Sequence, residues 1–436
     1  MSPNDKHKTK RRFINRFRII TYSLLLIWTL EYFLVQPALV TISQLSLPQL
    51  DLVHLSQRLE KHVSFLASSK LSGRAPGTSG NAAAEKFLLQ QFSDIGLVSP
   101  SPTGQRTQLV THIIGNNIFS ALPSPDFRRP WIVLGAHFDH LGEQDGKLYP
   151  GADDNASSIA IMLETARLLI DGDRLKRFNV LFIAFNSEES PYFLTKWMGS
   201  HHFYNHIGEI GIEPHEIKLA IILDLMGGIF WEPLQDTIFI MGSEKSPELE
   251  FLLPLVNISG IKVRPLGMSM VENIPSQGHF IFSDYQVFRT NDIPYLFVSS
   301  GRTPHYHRPT DTAEKLHYPR MARTVLWFEQ LIQKIDRLEK EWTYEKKRRN
   351  LQQDFQTLEP MVTKAANWKT RIPQTGLISL YKLKQDAKRM QLIKENTSSR
   401  KPLNLKDAKV LELASIRIQC LLGKMGPCFL LPTDPD

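Results

Sequence analysis

Cysteine is almost absent from this chain, because only Cys420 and Cys428 occur among its 436 residues. The spacing of the two thiols in the stretch CLLGKMGPC does not match a zinc-site pattern, and no other cysteine is present to complete one. A thiolate zinc site of the zinc-finger kind is therefore excluded. In an exported protein the pair could close a small disulfide loop, and two free thiols are the alternative.

Internal repeats are also absent, and the positive charge of the chain is spread unevenly. Of the net charge of +8, residues 1–18 carry +6 and residues 340–436 carry +9, so that the residues between them carry −7. A pI of about 9.2 would suit a nucleic-acid-binding protein. The basic residues needed for that, however, lie outside the expected core, and the sequence predicts no nucleic-acid partner.

The N-terminal segment combines a basic cluster with an apolar run. Residues 1–18 are followed by IITYSLLLIWTLEYFLVQPALV, residues 19–40, which is long enough to span a bilayer even though Glu31 lowers its hydrophobicity. Basic residues before a span favour a cytoplasmic N terminus and an extracytoplasmic remainder. The alternatives are a cleaved signal peptide, although no clean Ala-x-Ala site follows, and a buried helix of a soluble domain. The sequence predicts a single-pass signal anchor.

Short β-rich runs alternate with helical patterns over residues 50–339. The runs WIVLGA, VLFIAF and LAIIL are apolar throughout, which is typical of strands that are buried on both faces. This alternation predicts an α/β domain in which helices cover both faces of a mixed, mostly parallel central sheet. Residues 340–436 turn basic and polar, and we predict a C-terminal extension of no assignable role with one further helix.

Carboxylates and imidazoles follow the predicted strands, at the edge where open α/β sheets bind ligands. They are His137, Asp139, Asp153, Asp154, Glu188, Glu189, Asp224, His305 and His307. So many anions would repel one another unless cations lay between them. Imidazole with carboxylate and no thiolate suits zinc, and two ions would need a bridging carboxylate.

Six motifs resemble, in the same order, those of the co-catalytic zinc aminopeptidases (the M28 peptidases), whose relatives include glutaminyl cyclases and glutamate carboxypeptidases. They are LASSKLSGRAPGTSGNAAAEKFLLQQF, GAHFDH, GADDNASS, the Glu-Glu pair of FNSEES, the aspartate of LDLMG, and YHRPTDT. The resemblance implies a zinc exopeptidase fold of three α/β/α layers (phosphorylase/hydrolase-like). It also implies an exopeptidase acting on peptides, foremost an aminopeptidase. The alternatives are a glutaminyl cyclase with one zinc, a carboxypeptidase, and a non-catalytic scaffold of the same fold.

The resemblance also implies which residues bind two zinc ions. His137 and Asp224 would bind one ion, and Glu189 and His307 would bind the other. Asp154, the fourth residue of GADD, would bridge the two ions.

Three further residues receive catalytic roles from the resemblance. Glu188 would take a proton from a water held between the zinc ions, and Asp139 would orient the imidazole of His137. Tyr306 would help to hold the oxyanion. Tyr285, in FSDYQVF, stands where relatives often have histidine, so the substrate pocket should differ there.

Several neighbouring residues are not expected to bind metal. Asp153, His140 and His305 lie beside motif residues, and such side chains more often pack in the core or face solvent than bind a metal ion. His202 and His206 have a helical spacing that could hold zinc, but no third ligand is fixed near them.

Overall fold

The computed structural model describes residues 52–274, 278–279, 281–373, 375–398, 402–424 and 428–432. The predicted basic segment 1–18 and membrane span 19–40 lie outside the described residues. Within these described ranges, no helix is both long and apolar enough to cross a membrane. Val53–Asp436 form one compact unit.

Twelve strands occur in the described residues, and eight of them form the central sheet. Their bounds are β1 Thr107–Thr111, β2 Gly115–Ala121, β3 Trp131–His137, β4 Gly142–Gln144, β5 Lys147–Tyr149, β6 Asn179–Phe185, β7 Ile217–Leu223, β8 Thr237–Met241, β9 Lys262–Pro265, β10 Asn273–Ile274, β11 Gly278–His279 and β12 Tyr295–Ser299. The sheet has the order β1-β2-β6-β3-β7-β12-β8-β9, and β4-β5 and β10-β11 are two small separate sheets.

The central sheet is mixed, as predicted. Strands β6, β3, β7 and β12 run parallel to one another at its centre, and β8 runs parallel to β9 at one edge. The pairs β1-β2, β2-β6 and β12-β8 are antiparallel. Every residue of β3 and β6 is buried, which explains their continuous apolar sequences.

A short turn separates β1 from β2. β1 ends at Thr111, where the backbone N–H of Ile114 donates to the Thr111 carbonyl. Gly115 then adopts a φ of +107°, which a side chain would make costly. The turn produces an antiparallel β1-β2 hairpin at the sheet edge.

Helices lie on both faces of the sheet. Those described are α1 Leu52–Leu66, α2 Ser79–Ile95, α3 Ser157–Asp171, α4 Gly199–Asn205, α5 Pro247–Leu252, α6 Ser269–Glu272, α7 Tyr285–Thr290, α8 Tyr318–Arg337, α9 Leu351–Ala366, α10 Leu377–Ser398 and α11 Leu405–Gly423. α3 packs on β3 and on α8. Trp131 and Val133 of β3 belong to the core on the opposite face, with Phe203 of α4 and Phe288 of α7. Because strand side chains alternate, this gives the predicted three layers.

Capping and proline fix the starts of two helices. Thr78 caps α2, and its side chain accepts a hydrogen bond from the Asn81 backbone N–H. α8 begins at Tyr318, with proline in its first turn.

The sequence predicted one helix beyond residue 340, whereas the described residues there form three, α9, α10 and α11, which pack against the core of the sheet domain. Phe355 and Leu358 of α9 and Leu411 and Ile418 of α11 belong to the same hydrophobic cluster as the strands. Cys420 and Cys428 are paired as a disulfide, the first of the two alternatives that the sequence left open. The predicted domain boundary near residue 340 stays a prediction.

Candidate metal centre

The carboxyl ends of the parallel strands bring the predicted site residues together. β3 ends at His137, and Glu188 and Glu189 follow β6 after two residues. Asp224 follows β7 directly, and Asp154 lies in the loop before α3. Since β3, β6, β7 and β12 are parallel, these side chains and the loop after β12 meet at one edge of the sheet.

His137 and two carboxylates form a first group, which we call site A (His137, Asp224 and Oδ1 of Asp154). The Nε2 atom of His137 lies 3.3 Å from Asp154 Oδ1 and 3.7 Å from Asp224 Oδ1. Glu188 Oε2 lies 3.8 Å from the same nitrogen. All four residues are buried. Site A therefore holds three buried donor atoms, with Glu188 beside them.

A second group, site B, consists of His307, Glu189 and Oδ2 of Asp154. The Nε2 atom of His307 lies 3.1 Å from Asp154 Oδ2 and 3.2 Å from Glu189 Oε1. His140, which was not expected to bind metal, also faces site B, because its Nδ1 lies 2.9 Å from Glu189 Oε1 and 3.7 Å from Asp154 Oδ2. The only signal of this in the sequence was that His140 ends the GAHFDH motif, three residues after His137.

Unsatisfied polar atoms show that both groups suit a cation. Asp154 Oδ2, Asp224 Oδ1 and His307 Nε2 have no hydrogen-bond partner among the described residues, and all three atoms are buried. Buried polar atoms without partners are costly, and a metal ion would satisfy them. His137, Glu188 and Asp224 form one possible metal-binding group, and His140, Asp154 and Glu189 form another. Histidine and carboxylate donors fit zinc.

Asp139 holds both the histidine and the glutamate pair in place. Its Oδ1 lies 3.6 Å from His137 Nδ1, and its backbone carbonyl lies 3.2 Å from the same nitrogen. The two carboxylate oxygens also accept from the backbone N–H groups of Glu188 and Glu189, each at 3.1 Å. Asp139 thus positions residues of both sites, which is more than the orienting role predicted for it.

Two further aspartates fix the loops that carry ligands. Asp311, which the sequence reasoning missed although it lies in YHRPTDT, accepts from the backbone N–H groups of Asp153 and Asp154, at 2.9 and 3.1 Å. Asp153 accepts from the backbone N–H groups of Gly227 and Gly228 and is turned away from the ligands. Asp153 therefore stabilises the loop after Asp224 and belongs to neither group of donor atoms.

Arg74, which the sequence reasoning also missed, connects the loops around the site through hydrogen bonds. Its guanidinium is fully buried and donates to the backbone carbonyls of Leu66, Phe138, Pro150 and Gly151, at 2.5–2.8 Å. Burial lowers the pKa of Arg74 to about 10, against the raising effect of nearby aspartates. The LSGRAPG motif therefore supplies an anchor for the segments on either side of the metal centre.

Burial and neighbouring charges shift the pKa values of the carboxylates at the site in opposite directions. Burial, with Glu189 and other carboxylates nearby, raises the pKa of Glu188 well above its usual value, against the effect of His137. The pKa of Asp154 is lowered in spite of burial, because His140, His137 and His307 surround it. Burial raises the pKa of Asp284, an unforeseen carboxylate in the same region, to about 7. Asp154 is thus ionised more readily than Glu188 or Asp284.

The two tyrosines singled out from the sequence lie in different surroundings. The ring of Tyr306 stacks on His307 at a centroid distance of 3.8 Å, and the Arg302 guanidinium lies 4.0 Å above it. Burial raises the pKa of Tyr306 well above its usual value. Tyr285 donates instead to the carboxylate of Glu272, so the histidine position of the relatives is here part of a buried ion-pair cluster.

Comparison with known proteins agrees with this geometry. Residues 117–331 match the model of Peptidase family M28. The fold is similar to that of zinc exopeptidases. The match of residues 117–331 confirms the resemblance to the M28 peptidases that was seen in the sequence.

Three curated relatives show how far the similarity reaches. The chain is 30% identical over 218 residues to the uncharacterised protein YfbL of Escherichia coli (strain K12), covering 45% of this chain and 64% of YfbL. It is 25% identical to aminopeptidase YwaD of Bacillus subtilis (strain 168), and the match covers 57% of this chain and 51% of YwaD. It is 27% identical to the glutaminyl-peptide cyclotransferase of Bos taurus, and the match covers 47% of this chain and 61% of the cyclotransferase. The chain spans about half to two thirds of the length of these relatives.

A solved structure supports the fold. The LapA aminopeptidase of Legionella pneumophila matches 65% of this chain and 73% of its own, with a TM-score of 0.52 and 18% identity. At that identity the likeness establishes the architecture of the domain only.

Proposed function

We propose that this chain is a zinc-dependent exopeptidase, and specifically an aminopeptidase that removes N-terminal residues from peptides with two zinc ions. One observation carries the proposal. The two carboxylate oxygens of Asp154 face separate groups of donor atoms, Oδ1 toward His137 and Oδ2 toward His307. A carboxylate shared in this way is what a two-metal site requires. The similarity to the Bacillus subtilis aminopeptidase supports the same reaction.

In this proposal His137 and Asp224 would hold one zinc ion, and Glu189 and His307 would hold the other. Asp154 would contact both ions. Bound zinc supplies Lewis-acid chemistry, which polarises a peptide carbonyl and makes an attacking water more acidic. Glu188 lies beside site A, with Oε2 3.8 Å from His137 Nε2, and is the group that takes the proton of that water and returns it to the leaving amine. Asp139 keeps Glu188 in place through the backbone. Tyr306, stacked on His307, is the candidate donor to the oxyanion.

Three alternatives use the same fold. A glutaminyl cyclase would use one zinc, and the bovine cyclotransferase is about as similar to this chain as the bacterial aminopeptidase is. A carboxypeptidase would cleave from the other end of the peptide. A non-catalytic scaffold would need neither metal nor Glu188. The complete donor sets of sites A and B favour the peptidase over the cyclase and the scaffold.

Metal content and substrate choice together test these alternatives. We expect two zinc ions per chain by mass spectrometry of the purified protein, and release of aminoacyl fluorophores that a chelator abolishes and added zinc restores. A panel of N-terminal glutaminyl peptides and C-terminally blocked peptides serves as the comparison. One zinc with cyclisation of glutaminyl peptides would favour the cyclase, no zinc would favour the scaffold, and chelator-insensitive hydrolysis would refute the metal mechanism.

We also propose that residues 19–40 anchor the chain in a membrane and place the catalytic domain outside the cytoplasm. Support comes from the sequence alone, in the basic cluster followed by an apolar run. The full chain should sediment with membranes and resist an alkaline wash. Leu25→Arg, which costs about 3 kcal/mol at a helix centre, should weaken this retention. Recovery of the unaltered chain in the soluble fraction, or an N terminus cleaved after the apolar run, would contradict the anchor.

A further inference from the structure

An apolar pocket begins at the metal centre and extends away from it. Asp224 of site A and Tyr306 belong to its wall, and the pocket has a volume of about 130 Å³. That volume is several times what one water molecule needs. Phenylalanine rings from four different segments of the catalytic domain line it, namely Phe230, Phe239, Phe282 and Phe297. The pocket is thus placed to receive a group attached next to a bond that is cleaved at the zinc ions.

The C-terminal helices supply the remaining wall. Leu358 and Met361 of α9 line the pocket, together with Ile418 and Leu422 of α11. These helices lie outside residues 117–331, which match the family model. Their contribution is therefore a feature of this chain beyond the matched family domain.

The charged groups among the described lining residues stand on the catalytic side. They are Asp224, beside site A, and Arg302, whose guanidinium covers the Tyr306 ring. The polar residues that α11 adds to the lining are Ser415 and Gln419, and both are neutral. The Nε2 group of Gln419 donates to Ser415 Oγ and to the Met270 carbonyl. The helix side of the pocket would leave a charged substrate group without a partner.

We infer that α9 and α11 complete the substrate pocket and select a large apolar side chain, such as that of leucine or phenylalanine, on the residue next to the cleaved bond. The inference rests on the proposed peptidase function. The physical reason is that a large apolar group leaves water for a wall of phenylalanine, leucine, isoleucine and methionine side chains. Alanine would leave most of that wall uncovered.

Two isoleucines on α11 provide a matched test. Ile418 lines the pocket, whereas Ile416, two residues earlier and equally buried, does not. For the zinc-loaded full chain, we expect kcat/KM for leucyl and phenylalanyl substrates to exceed that for the alanyl substrate by at least about 10-fold. Ile418→Ala should reduce the leucyl-to-alanyl ratio by about 5- to 10-fold, and Ile416→Ala should leave the ratio within about 2-fold.

Calorimetric binding of L-leucinol and L-alaninol, which keep the amine and the side chain but have no amide bond to cleave, gives a readout that does not need turnover. The unaltered chain and Ile416→Ala should bind leucinol about 10-fold more tightly than alaninol, and Ile418→Ala should lose that difference. If Ile418→Ala does not fold, as judged by circular dichroism, Leu422→Ala with Leu413→Ala as its control replaces the pair. No turnover with selective leucinol binding would refute the peptidase but keep the pocket. Equal binding of the two amino alcohols, or equal effects of the two isoleucine variants, would overturn the inference.

Discussion

Replacing Asp154 with asparagine is expected to lower the zinc affinity of the chain by at least about 100-fold, because even residues that only support a ligand change metal affinity 10- to 100-fold. Asp154 Oδ1 lies 3.3 Å from His137 Nε2, and Oδ2 lies 3.1 Å from His307 Nε2. Asparagine keeps one oxygen and replaces the other with an NH₂ group, which cannot bind a cation. One of the two sites therefore loses a donor atom, and both lose the negative charge.

Asp153→Asn is the matched control for this substitution. Asp153 is the adjacent residue, is equally buried, and bonds to the Gly227 and Gly228 backbone instead of facing the ligands. An asparagine oxygen can keep accepting those hydrogen bonds, so zinc affinity should fall by no more than about 10-fold, the lower end of the range for a supporting residue. Equilibrium dialysis against buffered zinc measures both variants, with circular dichroism as the check on folding. Loss of zinc in Asp153→Asn but not in Asp154→Asn would reverse the assignment of the bridging residue.

The location of the donor residues was predictable from the sequence because apolar strands mark the edge of the sheet at which these residues lie. His137 ends β3 and Asp224 follows β7, so the edge at which they meet is set by strand direction alone. The resemblance then supplied the roles of Glu188 and Glu189, which no local pattern could separate. These are short-range features, in which sequence position determines location.

The supporting residues were not predictable, because their contacts join distant parts of the chain. Arg74 bonds to carbonyls of Pro150 and Gly151, and Asp311 holds the backbone of Asp154 from more than 150 residues away. An isolated arginine or aspartate in a loop gives no sign of such a partner. The same holds for α9 and α11, since their sequences gave no sign that Leu358 and Ile418 line the pocket next to Asp224.

Glu188→Gln is expected to retain two zinc ions and to reduce kcat by about 1,000-fold, within the range that general acid–base catalysis contributes. Glutamine has nearly the same shape as glutamate, so the hydrogen bond from its backbone N–H to Asp139 should persist. What it loses is the ability to accept and return a proton. Glu188 is buried, and burial with carboxylates nearby raises its pKa, which suits a group that takes up and returns a proton.

The structure makes this variant decisive, because Glu188 could also be a ligand of site A. Its carboxylate groups with His137 and Asp224 in a geometry that could itself hold a metal ion. A ligand role predicts that Glu188→Gln loses zinc, whereas a proton-transfer role predicts that it keeps zinc and loses turnover. Glu189→Gln is the comparison, since its Oε1 lies 3.2 Å from His307 Nε2 and its loss should remove zinc and activity together. Full activity in Glu188→Gln would refute its role as the proton carrier, and zinc loss there with retention in Glu189→Gln would exchange the roles of the two glutamates.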